Sequence, residues 1–172
     1  MAVKKKNSKT ADGKDIIDLI LEDHKPLKKL IKIMKSDKSL SERKKAFAEF
    51  APLLVTHAKP EESVLYVEIK KDKDLRQEGL EGDVEHGLAE QMLDEAKTTR
   101  DEDLWSARVK VLAELVEHHI KEEEEDLLPD FKKNSDKEKR IEMGMMFLAA
   151  KDNTLDDGNE RVPQKPARDQ NS

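Results

Sequence analysis

The chain has 172 residues, 42% charged and 35% hydrophobic, with a formal net charge of −6, six glycines and six prolines. That length holds one domain with a real core, and so few turn formers beside so many charges suit amphipathic helices better than a sandwich or barrel. The absence of cysteine excludes disulfides, iron–sulfur clusters, zinc ribbons and thiol catalysis, and the net negative charge gives no general case for nucleic-acid binding.

The N-terminal stretch MAVKKKNSKTADGK is basic, but no apolar run follows it. Residues 1–12 therefore read as a flexible solubilising segment and not a secretory signal. No stretch approaches the ~18 uninterrupted apolar residues of a membrane span, so a cytoplasmic location and no membrane partner are expected.

The first predicted helix runs from about Asp15 to Ser36, with Ile17, Ile20, His24, Leu27, Ile31 and Met34 on one face. A second starts near Ser39, where Ser39 and Glu42 suit a capping box, and extends to about Lys71. Its stripe reads Phe47, Phe50, Leu54, His57, Glu61, Val64 and Glu68. The third, about 75–98, carries Gly82, His86, Ala89, Leu93 and Ala96, with Gly79, Gly82 and Gly87 weakening its start. The fourth spans about 101–128, and Pro129 marks its end. A fifth, shorter helix starts at Ser135 with Glu138 as capping partner and carries Ile141, Met145, Phe147 and Leu148. From about Asn153 the composition turns to Asp, Asn, Gly, Pro, Gln and Arg, the mark of a disordered tail. The expected fold is all-α: an antiparallel up-down four-helix bundle over residues 13–150 with a short additional C-terminal helix, followed by a polar tail over 151–172.

Each main helix has a histidine in its inward stripe: His24, His57, His86 and His119. A single buried histidine is usually a satisfied core residue. One on every helix points to convergence at one level of the bundle. An internal repeat strengthens this: residues 57–66 read HAKPEESVLY and residues 119–128 read HIKEEEEDLL, each with Glu at the fourth and fifth positions after His and Leu at the eighth. Residues four apart share a helix face, so His57 with Glu61, and His119 with Glu123, are able to reach one cation. A buried carboxylate without a partner costs several kcal/mol, which makes two inward glutamates reasonable only beside a cation. Imidazole and carboxylate without thiolate favour iron, manganese or zinc over copper(I).

Steps of three and four back from His119 meet Val116, Leu112, Val109 and Trp105, whereas those from His118 reach Arg108. His119 is thus the inward residue, His118 lies at the edge of the face, and Glu122, Glu124 and Glu125 read as solvated. Pro26 and Pro60 each remove a backbone donor just after a candidate ligand, leaving the carbonyls of Glu22 and Thr56 without helical partners. Each is either a kink that aims the preceding histidine or a tolerated bend. Phe50, Leu54, Leu27, Leu112 and Val116 are the expected apolar lining of the site, with Tyr66 nearby.

This pattern resembles the hemerythrin-like, or HHE cation-binding, family over roughly residues 13–150. The matching residues are Asp23-His24, His57 with Glu61-Glu62 and Leu65-Tyr66, Glu85-His86, and His119 with Glu123-Glu124 and Leu127-Leu128-Pro129. The resemblance implies two non-haem irons held by His24, His57, Glu61, His86, His119 and Glu123, the glutamates bridging. It also implies a small diatomic ligand, oxygen or nitric oxide. Oxygen carriers of the family have a histidine where this chain has Glu90, and the present set is closer to the hemerythrin-like domains of iron–sulfur-cluster repair and nitric-oxide response proteins. Those often carry an N-terminal cysteine-bearing segment. Two alternatives stand beside a diatomic-ligand binder. One is a di-iron enzyme of peroxide or nitric-oxide reduction or cluster repair, with Glu62, Glu85 and Glu90 as proton-relay carboxylates. The other is a regulatory bundle stabilised by its metal.

Overall fold

Caps set where the helices begin. Asp15 accepts from the N–H of Ile17 at 3.0 Å, Ser39 and Glu42 close the expected capping box, and Asp101 accepts from the N–H of Leu104 at 2.8 Å. The computed structural model describes residues 13–160; the expected N-terminal segment 1–12 and residues 161–172 of the expected tail lie outside them. The helices are α1 (Ile16–Met34), α2 (Leu40–Pro60), π1 (Glu61–Leu65), α3 (Tyr66–Ile69), α4 (Arg76–Thr98), α5 (Glu102–Glu122), π2 (Glu123–Leu127), α6 (Leu128–Asn134) and α7 (Lys137–Glu160). Among the described residues there is no strand, and no helix is long and apolar enough to cross a membrane.

Two rods are continuous through a π-helical turn: α2–π1–α3 and α5–π2–α6. In each turn the backbone bonds five residues back, Tyr66 N–H to the Glu61 carbonyl and Leu128 N–H to that of Glu123. This corrects two readings of the sequence. Pro129 does not end the fourth helix, because it directly follows the π turn, where the four-back ladder is already interrupted, and the rod continues through it to Asn134. Glu68 leaves the inward stripe, because the wider turn brings Tyr66 and Ile69 inside instead; Glu68 pairs with Lys71 and Lys139.

α7 also departs from expectation. Ser135 ends α6 and donates its hydroxyl to the Phe131 carbonyl at 2.5 Å instead of capping, and the helix from Lys137 runs to Glu160, ten residues into the expected tail. Its inward face is Arg140, Met143 and Phe147, with Met145 and Leu148 exposed. Arg140 sets that rotation by donating to Asp15 at 2.8 Å and to the Ser135 carbonyl at 2.5 Å. Through this face α7 packs on α1, α2 and π1.

The core is two apolar clusters. One gathers Leu27, Ile31, Phe50, Leu93, Trp105 and Leu112 with their neighbours; the other gathers Ile16, Ile20, Tyr66, Ile69, Leu128 and Phe147 with theirs. Along α1 the chain passes from the second cluster to the first, and His24 stands between Ile20 and Leu27. The rod α2–π1–α3 passes from the first to the second through His57 and Glu61. A polar layer therefore separates the two cores.

Candidate metal centre

That layer is assembled from four rods: His24 comes from α1, His57 and Glu61 from α2 and π1, His86 from α4, and His119 and Glu123 from α5 and π2. All six residues are buried. His24, His57, Glu61 and Glu123 each offer a ligand atom within 4.8 Å of the others, and Glu61, His86 and His119 form a second such group sharing Glu61. The Nε2 atoms of His86 and His119 are 3.0 Å apart. His57 Nε2 lies 3.4 Å from Glu61 Oε2, and His24 Nε2 lies 3.2 Å from Glu123 Oε2.

Many of these atoms have no hydrogen-bond partner. Nε2 of His24 and of His57, both carboxylate oxygens of Glu61 and Oε2 of Glu123 are buried and orphaned. Native proteins rarely leave such groups unpaired, since each costs about 1–3 kcal/mol and more when charged. Convergence of orphaned imidazole nitrogens and carboxylate oxygens is what a cation satisfies, and the cluster fits a metal site.

The electrostatics of the cluster's own side chains are those of a frustrated site. Burial, and then the negative charge of Glu123, hold the Glu61 carboxyl well above its ordinary pKa. Burial acts the same way on Glu123, but the charges of His119, His24 and His57 outweigh it and bring that carboxyl below its ordinary value. Burial pushes His57 down to about 4. His119 goes the other way: the penalty of burial is exceeded by the fields of Glu123 and Glu85, so its pKa rises.

Each histidine also turns its second nitrogen, Nδ1, toward a carboxylate. His24 meets Glu124 at 3.0 Å and His119 meets Glu85 at 2.6 Å; His86 and His57 approach Glu62 and Asp23 more loosely, at 3.3 and 3.7 Å. The first two are hydrogen bonds that fix the ring orientation and leave Nε2 for a metal, whereas Nδ1 of His57 and of His86 makes none. Lysines hold three of these carboxylates: Lys28 binds Glu124 at 2.7 Å, Lys151 binds Asp23 at 2.6 Å and Lys59 binds Glu62 at 3.3 Å. Glu124, read from the sequence as solvated, is thus half-buried and engaged with His24. Asp23 and Lys151 had no sequence signal beyond the adjacency of Asp23 to His24.

Other expected residues are elsewhere. His118 is exposed and pairs with Glu122 at 3.1 Å, and Glu90 is exposed and pairs with Lys59 at 3.0 Å. Tyr66 is fully buried and donates its hydroxyl to Glu123 Oε1 at 2.6 Å, close to His119 Nε2 at 3.4 Å. Gly82 of α4 makes room for it, because a Cβ there would stand 2.7 Å from the phenol carbon Cζ. An apolar cavity of about 30 Å³ reaches the rings of His57, His86 and His119 between α2, α4 and α5. Leu54 and Val116 line it as expected, joined by Val55, Ala89, Leu93 and Leu115. Phe50, Leu27 and Leu112 pack instead into the first apolar cluster.

Among protein families, the hemerythrin HHE cation binding domain matches residues 15–131. No curated protein and no solved structure matches the chain.

Proposed function

The chain belongs to the hemerythrin HHE cation-binding family, and from that premise we propose that it holds two iron ions and presents them to a small diatomic ligand, oxygen or nitric oxide. The observation that carries this reading is the layer of orphaned, buried imidazole nitrogens and carboxylate oxygens between two apolar cores. His24 and His57 would hold one ion, His86 and His119 the other, and Glu61 and Glu123 would serve both. Zinc and manganese accept the same donors. Bound iron supplies an open coordination position for the diatomic ligand.

The remaining work falls to the chain's own residues. Leu54, Leu93 and Val116 keep water from the cavity beside the rings, which suits a small uncharged ligand. Lys59 stands at its rim, tied to Glu62 and Glu90. The same reading takes the four ligand-bearing rods as an antiparallel up-down bundle, supported by the opposite order in which α1 and the α2–π1–α3 rod visit the two clusters.

A second reading, reduction of peroxide or nitric oxide, is favoured by Tyr66. Burial, and then the charges of Glu123 and Glu61, raise its pKa well above the ordinary phenol value, so it holds a proton against the centre. The deciding experiment is metal analysis of protein purified from its native host, with visible spectra before and after reduction and on addition of oxygen or nitric oxide. About two irons per chain, lost in His57→Ala and His119→Ala, and a ligand-dependent spectrum are expected. Less than one metal per chain, or no spectral response, would overturn the reading. Turnover with an electron donor separates the enzyme from the binder.

A further inference from the structure

The centre is reached from two sides of opposite chemistry. One is the apolar cavity with Lys59 at its rim. The other is a cleft of about 260 Å³ between α4 and the α5–π2–α6 rod. Its walls are Glu78, Glu81, Glu85, Glu122, Asp126 and Asp130, and no lysine or arginine is among the residues lining it. Its inner end is formed by Tyr66, His119 and Glu123, the last 2% exposed with Oε2 unpartnered. Resting on the metal centre proposed above, we propose that this cleft is the route by which divalent metal ions reach and leave that centre.

The arrangement has what such a route requires. A cleft lined by one sign of charge focuses the field and raises the local concentration of the opposite ion. The acids are only lightly compensated: Lys133 pairs with Asp130 at 2.6 Å, Gln77 donates to Glu81 at 3.0 Å, and His118 lies 3.1 Å from Glu122. Glu78 Oε2 is buried and has no partner. Burial, then the charges of Asp130, Asp126 and Glu81, raise the Glu78 pKa, so these carboxylates face one another across a shared space. At the inner end the next acceptors are the candidate ligands themselves, Glu123 and, 2.6 Å from Glu85, His119. The apolar cavity is less suited to a cation: at about 30 Å³ it is far smaller, and of its carboxylates Glu62 and Glu90 are paired with the Lys59 ammonium, which repels an entering ion, while Glu85 faces His119.

A route differs from a binding site in what its removal changes. Neutralising it slows uptake and release together and leaves the bound stoichiometry alone. The experiment is stopped-flow absorbance of Co(II) uptake by the full-length, metal-free chain, with release measured by transfer to a chelator. The variant is Glu78→Gln/Glu81→Gln/Asp126→Asn/Asp130→Asn; the control, Glu49→Gln/Asp103→Asn, removes exposed acids outside the cleft. Uptake and release at least ~10-fold slower than in the parent are expected at low salt. The gap should narrow as ionic strength shortens the Debye length toward ~10 Å at 0.1 M. Equal rates in variant and parent would overturn the route while leaving the centre standing. So would faster release or reduced stoichiometry, which make the acids ligands. A parent chain that takes up no Co(II) would overturn the centre, and the route with it.

Discussion

An imidazole has two nitrogens, and the four candidate ligands treat them alike: Nε2 faces the centre and Nδ1 faces a carboxylate. The carboxylates follow a rule. Asp23 beside His24 serves His57, Glu62 beside Glu61 serves His86, Glu85 beside His86 serves His119, and Glu124 beside Glu123 serves His24. Each rod thus turns a carboxylate toward the histidine of another, in a closed circuit, hydrogen-bonded at His24 and His119. The adjacent pairs were legible in the sequence, but their partners were not. Counting along one helix cannot show that a residue about 100° off the inward stripe reaches sideways to a neighbouring helix. This is why Glu124 read as solvated. Glu85→Ala removes the shortest of these contacts, and competition with a chromophoric chelator should show metal affinity about 10- to 100-fold lower. Glu90→Ala, which cuts only a surface pair with Lys59, should leave affinity unchanged. Equal losses in the two variants would contradict the circuit. The metal-free chain carries a second signature at this scale. Burial holds His57 neutral down to about 4, against 6.5 when unfolded. Between those values the unfolded chain binds more protons, so stability rises with pH. His57 therefore contributes fully above pH 6.5, and that contribution is lost as pH falls to about 4, a difference of about 3 kcal/mol. Chemical denaturation of chelator-treated parent and His57→Leu across this range should show the slope flattened in the variant; parallel curves would refute the assignment.

At the scale of elements, the unusual feature is that both candidate ligand glutamates, Glu61 and Glu123, open a π turn. The repeat HAKPEESVLY and HIKEEEEDLL announced a shared geometry, but it was read at the period of an ordinary helix, which placed Glu68 inside. With one residue more in the turn, residues five apart stack, so Glu61 and Tyr66 both face the centre, as do Glu123 and Leu128 the interior. Pro60, immediately before π1, lacks the N–H that would continue the four-back ladder. Its role is thus to help the change of register, beyond the kink or bend that the sequence left open. Ser63 is exposed and donates its hydroxyl only to backbone carbonyls, so it is the residue the turn can lose. Deleting it should restore an ordinary helix that keeps Tyr66 and Ile69 in the second cluster. Thermal unfolding of the metal-free deletion variant is expected at or above the parent's temperature. Its metal affinity should fall at least ~10-fold, because Glu61 and Glu62 no longer meet His57 and His86. Unchanged affinity would make the π turn incidental to the site.

For the whole molecule, the polar layer is both the candidate metal centre and the plane where buried polar atoms lack partners. The all-helical architecture and its five segments followed from periodicity, because thin apolar stripes of three- and four-residue spacing leave no other way to bury Ile20, Phe50, Leu93 or Leu112. The extent of α7 did not follow, because its rotation is set by a buried arginine, Arg140, and by Lys151 reaching Asp23. Neither is an apolar residue that a stripe would reveal. Lys151 also ties α7 to the circuit around the histidines, so the helix outside the four histidine-bearing rods still bears on the candidate centre. The two apolar cores are joined across groups that are unsatisfied without a cation. Metal bound to the folded chain and not to the unfolded one adds about 4 kcal/mol at a thousandfold excess over Kd. For a domain of this size each kcal/mol moves Tm by roughly 2–4 °C, so chelation should lower Tm by roughly 8–16 °C. Re-addition of metal should restore it. His57→Ala/His119→Ala should respond to neither treatment, since it has lost one imidazole from each of the two candidate groups. A parent Tm indifferent to chelator would mean that the layer is satisfied in some other way, and that these histidines and glutamates do not form a cation site.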